Sequence, residues 1–154
     1  MIYISHRGNL TGPDLSKENT KEYIDAAISQ NFDVEIDLWY VNGKLWLGHD
    51  GPEYSVEPVW LEDRASHLWI HTKNIEAALW LSNQRWKPHF FTHVSDPVAI
   101  TSLGWLWCHV WDAPLNSNAV VPLLNKESIA NQKWLQCGAI CTDFVYDAMK
   151  KFGV

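Results

Sequence analysis

Residues 34–50 read VEIDLWYVNGKLWLGHD, and they constrain the fold more tightly than any other stretch. An apolar run is followed by Asn42-Gly43 and then by a second apolar run. Asn-Gly between two such runs is the strongest short-range signal for a tight hairpin. Side chains alternate along a strand, so Glu35 and Asp37 share one face, while Val34, Ile36 and Leu38 share the other and are expected to pack on helices. Two acids on the inner face of a parallel barrel repel each other unless a proton or a cation lies between them. Oxygen donors of this kind suit Mg²⁺, Ca²⁺ or Mn²⁺. On this spacing alone, structural acids matched by Arg or Lys remain the simpler reading.

The rest of the chain alternates short strands with helices. Strands are predicted at 2–6, 33–41, 45–49, 67–73, 89–94, 106–111, 119–124 and 139–145. Asn19-Thr-Lys-Glu22 reads as a capping box ahead of a helical stripe of Tyr23, Ile24, Ala27 and Ile28. Further helices are predicted at 75–85, 128–136 and 147–152. Such alternation argues for an α/β protein with a parallel sheet. No glycine fingerprint follows the first strand, which leaves an open doubly wound sheet without its usual signature. A closed barrel is the alternative, and 154 residues is short against the roughly 250 of a complete (β/α)8 barrel.

The length suits one domain, residues 1–154, and no linker or repeat divides it. A net charge of −6 without a basic stripe argues against nucleic acid as a partner. An anionic substrate would have to meet local positive charge. No apolar run is long enough to span a bilayer, so no stable membrane insertion is expected. The start MIYISHRGN lacks a signal-peptide pattern, and the cysteines, Cys108, Cys137 and Cys141, form no CxxC pair. Both point to a cytoplasmic location. The ten tryptophans are read mainly as core payload rather than as a ligand-stacking surface.

Several side chains at predicted strand ends carry possible chemistry. His6 can move protons near neutral pH. Arg7 can fork onto phosphate oxygens, and Gly8 permits close backbone approach. His49 follows the hairpin. His71 and Lys73 share a face of their strand, with Lys73 a candidate phosphate contact and His71 a candidate ligand, proton carrier or core histidine. His93, His109, Asp112 and Asp143 lie near other strand ends, and each taken singly reads as structural.

In their order, His6-Arg7-Gly8, Glu18-Asn19-Thr20, Glu35-x-Asp37, Gly48-His49-Asp50 and Lys73 resemble the glycerophosphodiester phosphodiesterases of the phospholipase C-like phosphodiesterase superfamily. Cys141-Thr142-Asp143 is similar to the family's last-strand Thr-Asp. The resemblance implies an α/β (β/α)8-type TIM barrel, here reduced or incomplete, with a β-hairpin after strand two. It implies a metal-dependent phosphoric diester hydrolase of lipid metabolism, acting on a glycerophosphodiester or related small anionic phosphodiester. Carried over by position, His6 and His49 become the acid/base pair. Arg7 and Lys73 bind phosphate. Glu35 and Asp37 hold a divalent metal ion (Mg, Ca or Mn), with Glu18 beside that site.

The chain departs from the family two residues before Lys73, where the family has Glu and this sequence has His71. The expectation is that His71 takes over as the third ligand and moves the preference toward Mn, Co or Zn. Two other outcomes stay open: a non-catalytic phosphate-ester-binding domain with a degenerate metal site, and a lyase that stops at a cyclic phosphate.

Overall fold

The computed structural model describes residues 1–110, 115–132 and 135–153. Its centre is a run of parallel strands. β1 (Ile2–His6) lies between β2 (Asp33–Val41) and β10 (Ala139–Thr142), and β10 is followed by β9 (Ala119–Pro122) and β8 (Leu106–Cys108). On the other side β2 pairs with β5 (Leu68–Thr72), and β5 with β6 (Phe90–Phe91). Three ladders are antiparallel. β2 turns back into β3 (Lys44–Leu47), β3 pairs with β4 (Tyr54–Val56), and β7 (Val98–Ile100) pairs with β8. Asn42 and Gly43 both take positive φ at the first of these reversals, as a tight hairpin of this type requires.

Five short helices are described: α1 (Lys21–Ile28), α2 (Pro58–Asp63), α3 (Ile75–Ser82), α4 (Lys126–Asn131) and α5 (Val145–Phe152). The pleat assigns the faces. Val34, Ile36 and Leu38 are fully buried outward with Ile24 of α1, Leu61 of α2 and Leu81 of α3. Val121 and Ile140 pack in the same way toward Val145 and Ala148 of α5. The opposite face holds Ile4, Trp69, Phe91, Trp107, Val120 and Cys141. Trp69 and Trp107 are each 3% exposed, which answers part of the tryptophan question in favour of the core.

The expected (β/α)8-type TIM barrel is not what forms. The ten strands make one mixed sheet curved into a half-barrel, and five short helices are too few to follow each strand. The stretch from Phe91 to Leu106 is spent on β7 and turns rather than on a crossover helix. Among the described residues no ladder joins β6 to β8. The two ends of the sheet meet instead through side chains and one backbone bond, from the Ser102 N–H to the Phe90 carbonyl at 2.8 Å. Phe91 stacks on Trp107 with ring centroids 4.3 Å apart, and His93 stacks on His109 at 3.5 Å. His89 Nε2 lies 2.8 Å from Thr101 Oγ1.

Smaller corrections follow from capping and edges. The cap of α1 is Thr20, whose side chain accepts from the Tyr23 N–H, and not Asn19. Asn19 is committed elsewhere, as described below. α3 stops at Ser82, short of the predicted 85, with Asn83 as its C-cap. α4 covers Lys126–Asn131 rather than 128–136, and the strand predicted at 106–111 ends at Cys108. Residues 133 and 134 of that predicted helix, residue 111 of that strand and the candidate Asp112 lie outside the described residues. β4, α2 and β7 were not anticipated. None of the described helices is long and apolar enough to cross a membrane.

Candidate active site

β1 ends in His6, and the chain then turns sharply. Arg7 has φ +55 and Gly8 has φ +95. A Cβ on Gly8 would sit 2.7 Å from Tyr23 Cδ1, so this turn requires glycine. The Arg7 N–H donates to the Glu35 carbonyl at 2.9 Å, tying the turn to β2. The register then fixes the inner face of the sheet. Glu35 lies beside Trp69, and Asp37 beside His71, across the β2–β5 ladder.

Four acids converge here with two permanent cations. Asp37 is fully buried. Its Oδ2 lies 2.9 Å from Arg7 Nε and accepts from Asn19 Nδ2 at 3.0 Å, while Asn19 Oδ1 accepts from the Asp37 N–H at 3.0 Å. Its Oδ1 is 3.2 Å from His71 Nδ1 and 3.4 Å from Lys73 Nζ. Arg7 Nη1 donates to Glu18 Oε2 at 3.1 Å. Buried Asn9 joins the cluster, with Nδ2 2.8 Å from both Glu18 Oε1 and Asp143 Oδ1.

The two strand acids are shifted in opposite directions. Burial, with the charge of Asp37 added, pushes the Glu35 carboxyl up from its ordinary range. Burial also acts against ionised Asp37, but His71, Arg7 and Lys73 outweigh it and hold Asp37 below the ordinary range. Glu35 Oε2 and Asp37 Oδ1 are both buried without a hydrogen-bond partner. His6 Nε2 lies 3.8 Å from the first and Lys73 Nζ 3.4 Å from the second without an aligned hydrogen bond, and buried oxygens left so are rare in folded proteins.

Glu35, Asp37 and His71 each offer a ligand atom, and these atoms all lie within 4.8 Å of one another. The donor set therefore fits a divalent cation, with two carboxylate oxygens facing each other and one imidazole nitrogen beside them. Arg7 links Glu18 to this trio, pairing with Glu18 through Nη1 and with Asp37 through Nε.

His6 lies at the cavity end of the cluster. Its Nδ1 is 2.8 Å from Asp143 Oδ1, and its Nε2 is 3.8 Å from Glu35 Oε2. Burial opposes the charged imidazole, but the Asp143 hydrogen bond and the charge of Glu35 outweigh it, so the His6 pKa rises.

A cavity of about 440 Å³ opens over this edge, within the range of small-molecule sites. Its lining includes His6, Arg7, Glu35, His49 and His71 together with the apolar Phe91, Trp107 and Leu124. His49 is half-exposed, and its Nδ1 is 2.7 Å from Asp50 Oδ1.

The structure thus brings His6, Arg7, Glu18, Glu35, Asp37, His71 and Lys73 into one network and places His49 on the lining of the same cavity. Lys73 does not line that cavity; its ammonium is spent on Asp37. Sequence reasoning undervalued Asp143 and Asn9. Asp143 carried a faint signal in the Thr142-Asp143 pair, and Asn9 carried none. Asn19 stood inside a recognised triplet, but its role there was read as a helix cap. His93 and His109, read singly as structural, both line the cavity, and burial with the nearby His93 and His71 lowers the His109 pKa to about 4.

No protein-family model, curated protein or solved structure matches this chain.

Proposed function

We propose that the chain is a metal-dependent phosphodiesterase that cleaves a small glycerophosphodiester by histidine acid/base chemistry. The observation that supports this best is the wiring of His6. A carboxylate accepts from its Nδ1–H at 2.8 Å, which leaves Nε2 as the atom that takes or gives a proton beside Arg7 and Glu35. His49 repeats the arrangement with Asp50 on the same cavity's lining. In this reading, one histidine takes the proton of the hydroxyl beside the ester as that oxygen attacks phosphorus. The other protonates the departing alkoxide. Water then opens the cyclic phosphate with the two roles reversed.

Arg7 is the basic side chain on the cavity wall and binds a phosphate oxygen. Lys73 supports the site indirectly, by balancing the charge of Asp37. Glu35, Asp37 and His71 would hold a divalent cation, which would supply positive charge to the phosphate as negative charge grows. The partner is then a small anionic diester. All three cysteines are free, in keeping with a reducing, cytoplasm-like compartment.

The test is turnover of glycerophosphocholine followed by phosphorus NMR, with and without a chelator. Glycerol phosphate formed only in the presence of a divalent cation is the expected result. Accumulation of a cyclic phosphate would reassign the reaction to a lyase. Binding without turnover across several metals would remove the catalytic reading.

A further inference from the structure

His71 makes two contacts that together determine what its ring can do. Its Nε2 lies 3.2 Å from the backbone oxygen of His93. A carbonyl oxygen only accepts, so Nε2 carries the hydrogen. The neutral ring then presents a bare lone pair at Nδ1. That lone pair faces Asp37 Oδ1 at 3.2 Å and Glu35 Oε1 at 3.9 Å. Three electron-rich atoms at such separations repel, and Lys73 Nζ, 3.4 Å from Asp37 Oδ1, contacts one of the three.

Either a proton on Nδ1 or a bound cation would supply further positive charge there. The approach to Asp37 Oδ1 is short but not aligned as a hydrogen bond, and Oδ1 counts as an unpartnered buried atom. Glu35 Oε2 is a second such atom. The ring is also clamped. It stacks on Phe91 with centroids 5.0 Å apart and planes 6° from parallel. An imidazole that donates one nitrogen to a backbone carbonyl while its other nitrogen faces carboxylates is the usual outer arrangement of a metal-bound histidine.

We infer that His71 Nδ1, Glu35 and Asp37 form a mixed nitrogen–oxygen site for a first-row transition cation, Mn²⁺, Co²⁺ or Zn²⁺, in preference to Ca²⁺ or Mg²⁺, and that the His93 carbonyl is the group that fixes the ligating nitrogen. The inference rests on the same cavity being a divalent-cation site and adds the class of cation. All-oxygen sites suit Ca²⁺ and Mg²⁺, whereas imidazole raises affinity along the transition series.

Calorimetric titration of the whole chain with each of the five cations tests it. Mn²⁺, Co²⁺ or Zn²⁺ should bind about tenfold or more tightly than Ca²⁺, and His71→Glu should bring the two groups level or reverse them. A second measurement needs no variant. Electron spin-echo modulation of Mn²⁺ bound to the wild-type chain should show a directly coupled imidazole nitrogen. Equal or tighter Ca²⁺ binding, the absence of nitrogen coupling, or no cation bound at all would each overturn the inference. Failure of the proposed reaction is distinguishable. Selective binding with nitrogen coupling but no diester turnover removes the phosphodiesterase and leaves the site. Chelator-insensitive turnover without nitrogen coupling removes the site and leaves the enzyme.

Discussion

At the scale of the residue, His6 and Asp143 form the pair on which the proposed chemistry depends. Asp143 fixes the tautomer of His6 and raises its pKa against the pull of burial. Asp143→Asn keeps an oxygen for the Asn9 amide but replaces the charge. The expected result is a fall in kcat on the order of 10²-fold, the lower end of what a positioned acid or base contributes. The His6 pKa should fall with it, read from the ring proton in an NMR titration, while cation affinity stays within about twofold because Asp143 is not one of the candidate ligands. An unchanged kcat with a lowered His6 pKa would separate His6 from the chemistry.

The legible part of this site was its strand-borne part. Glu35, Asp37, His71 and Lys73 announce a shared face through simple alternation, and His6-Arg7 marks a strand end. What alternation cannot show is who partners whom. Lys73, read as a phosphate contact, also lies 3.4 Å from Asp37 Oδ1, because a fully buried carboxylate demands a nearby cation. Asn9 and Asn19 hold the acids in place from a loop, where no period exists to reveal them.

At the scale of the element, the seam between β6 and β8 is where this sheet differs from a laddered closure. It is held by Phe91, Trp107, His89 and Thr101, and by the Ser102 N–H donating to the Phe90 carbonyl at 2.8 Å, rather than by a strand ladder. His89 is buried against Trp69 with centroids 3.9 Å apart, and that burial lowers its pKa to about 4. The unfolded chain has the ordinary value near ~6.5. Between the two values the unfolded state binds more protons, so stability is full above the higher value and falls as pH drops toward the lower one. The loss from this one group is about 2 kcal/mol, set below the full linkage value because the ring is only partly screened from solvent. Urea unfolding at pH 7 and pH 4.5, compared between wild type and His89→Gln, should show the variant losing less stability on acidification. Equal losses would place the acid sensitivity elsewhere. The seam was invisible in the sequence because β6 is two residues long and β7 three, too short to set a period.

At the scale of the whole molecule, the sequence showed kinds of element better than their arrangement. Parallel strands, the hairpin at Asn42-Gly43 and the inward acids follow from local pattern. Whether a parallel sheet closes depends on how many helices cross over and where, and that is a property of loops. Here β3, β4 and β7 take up chain that a complete barrel gives to helices, which leaves a half-barrel. The candidate ligands nevertheless sit on β2 and β5, two strands paired over five registered positions from Val34–Leu68 to Leu38–Thr72. A cation there joins strands that separate only when the sheet itself comes apart, so its binding energy should count toward global stability. The unfolded chain holds no such cluster. Binding at about a hundred times Kd then contributes about 2.7 kcal/mol, which for a chain of this size corresponds to a rise in Tm of about 5–10 °C. Scanning calorimetry with saturating Mn²⁺, Co²⁺ or Zn²⁺, and again after excess chelator, should show that rise and its reversal. Arg7 and Lys73 already balance much of the charge on Asp37, so the metal-free chain should still unfold in one cooperative step. A Tm that no divalent cation moves would mean that the orphaned oxygens of Glu35 and Asp37 are satisfied by something other than a metal.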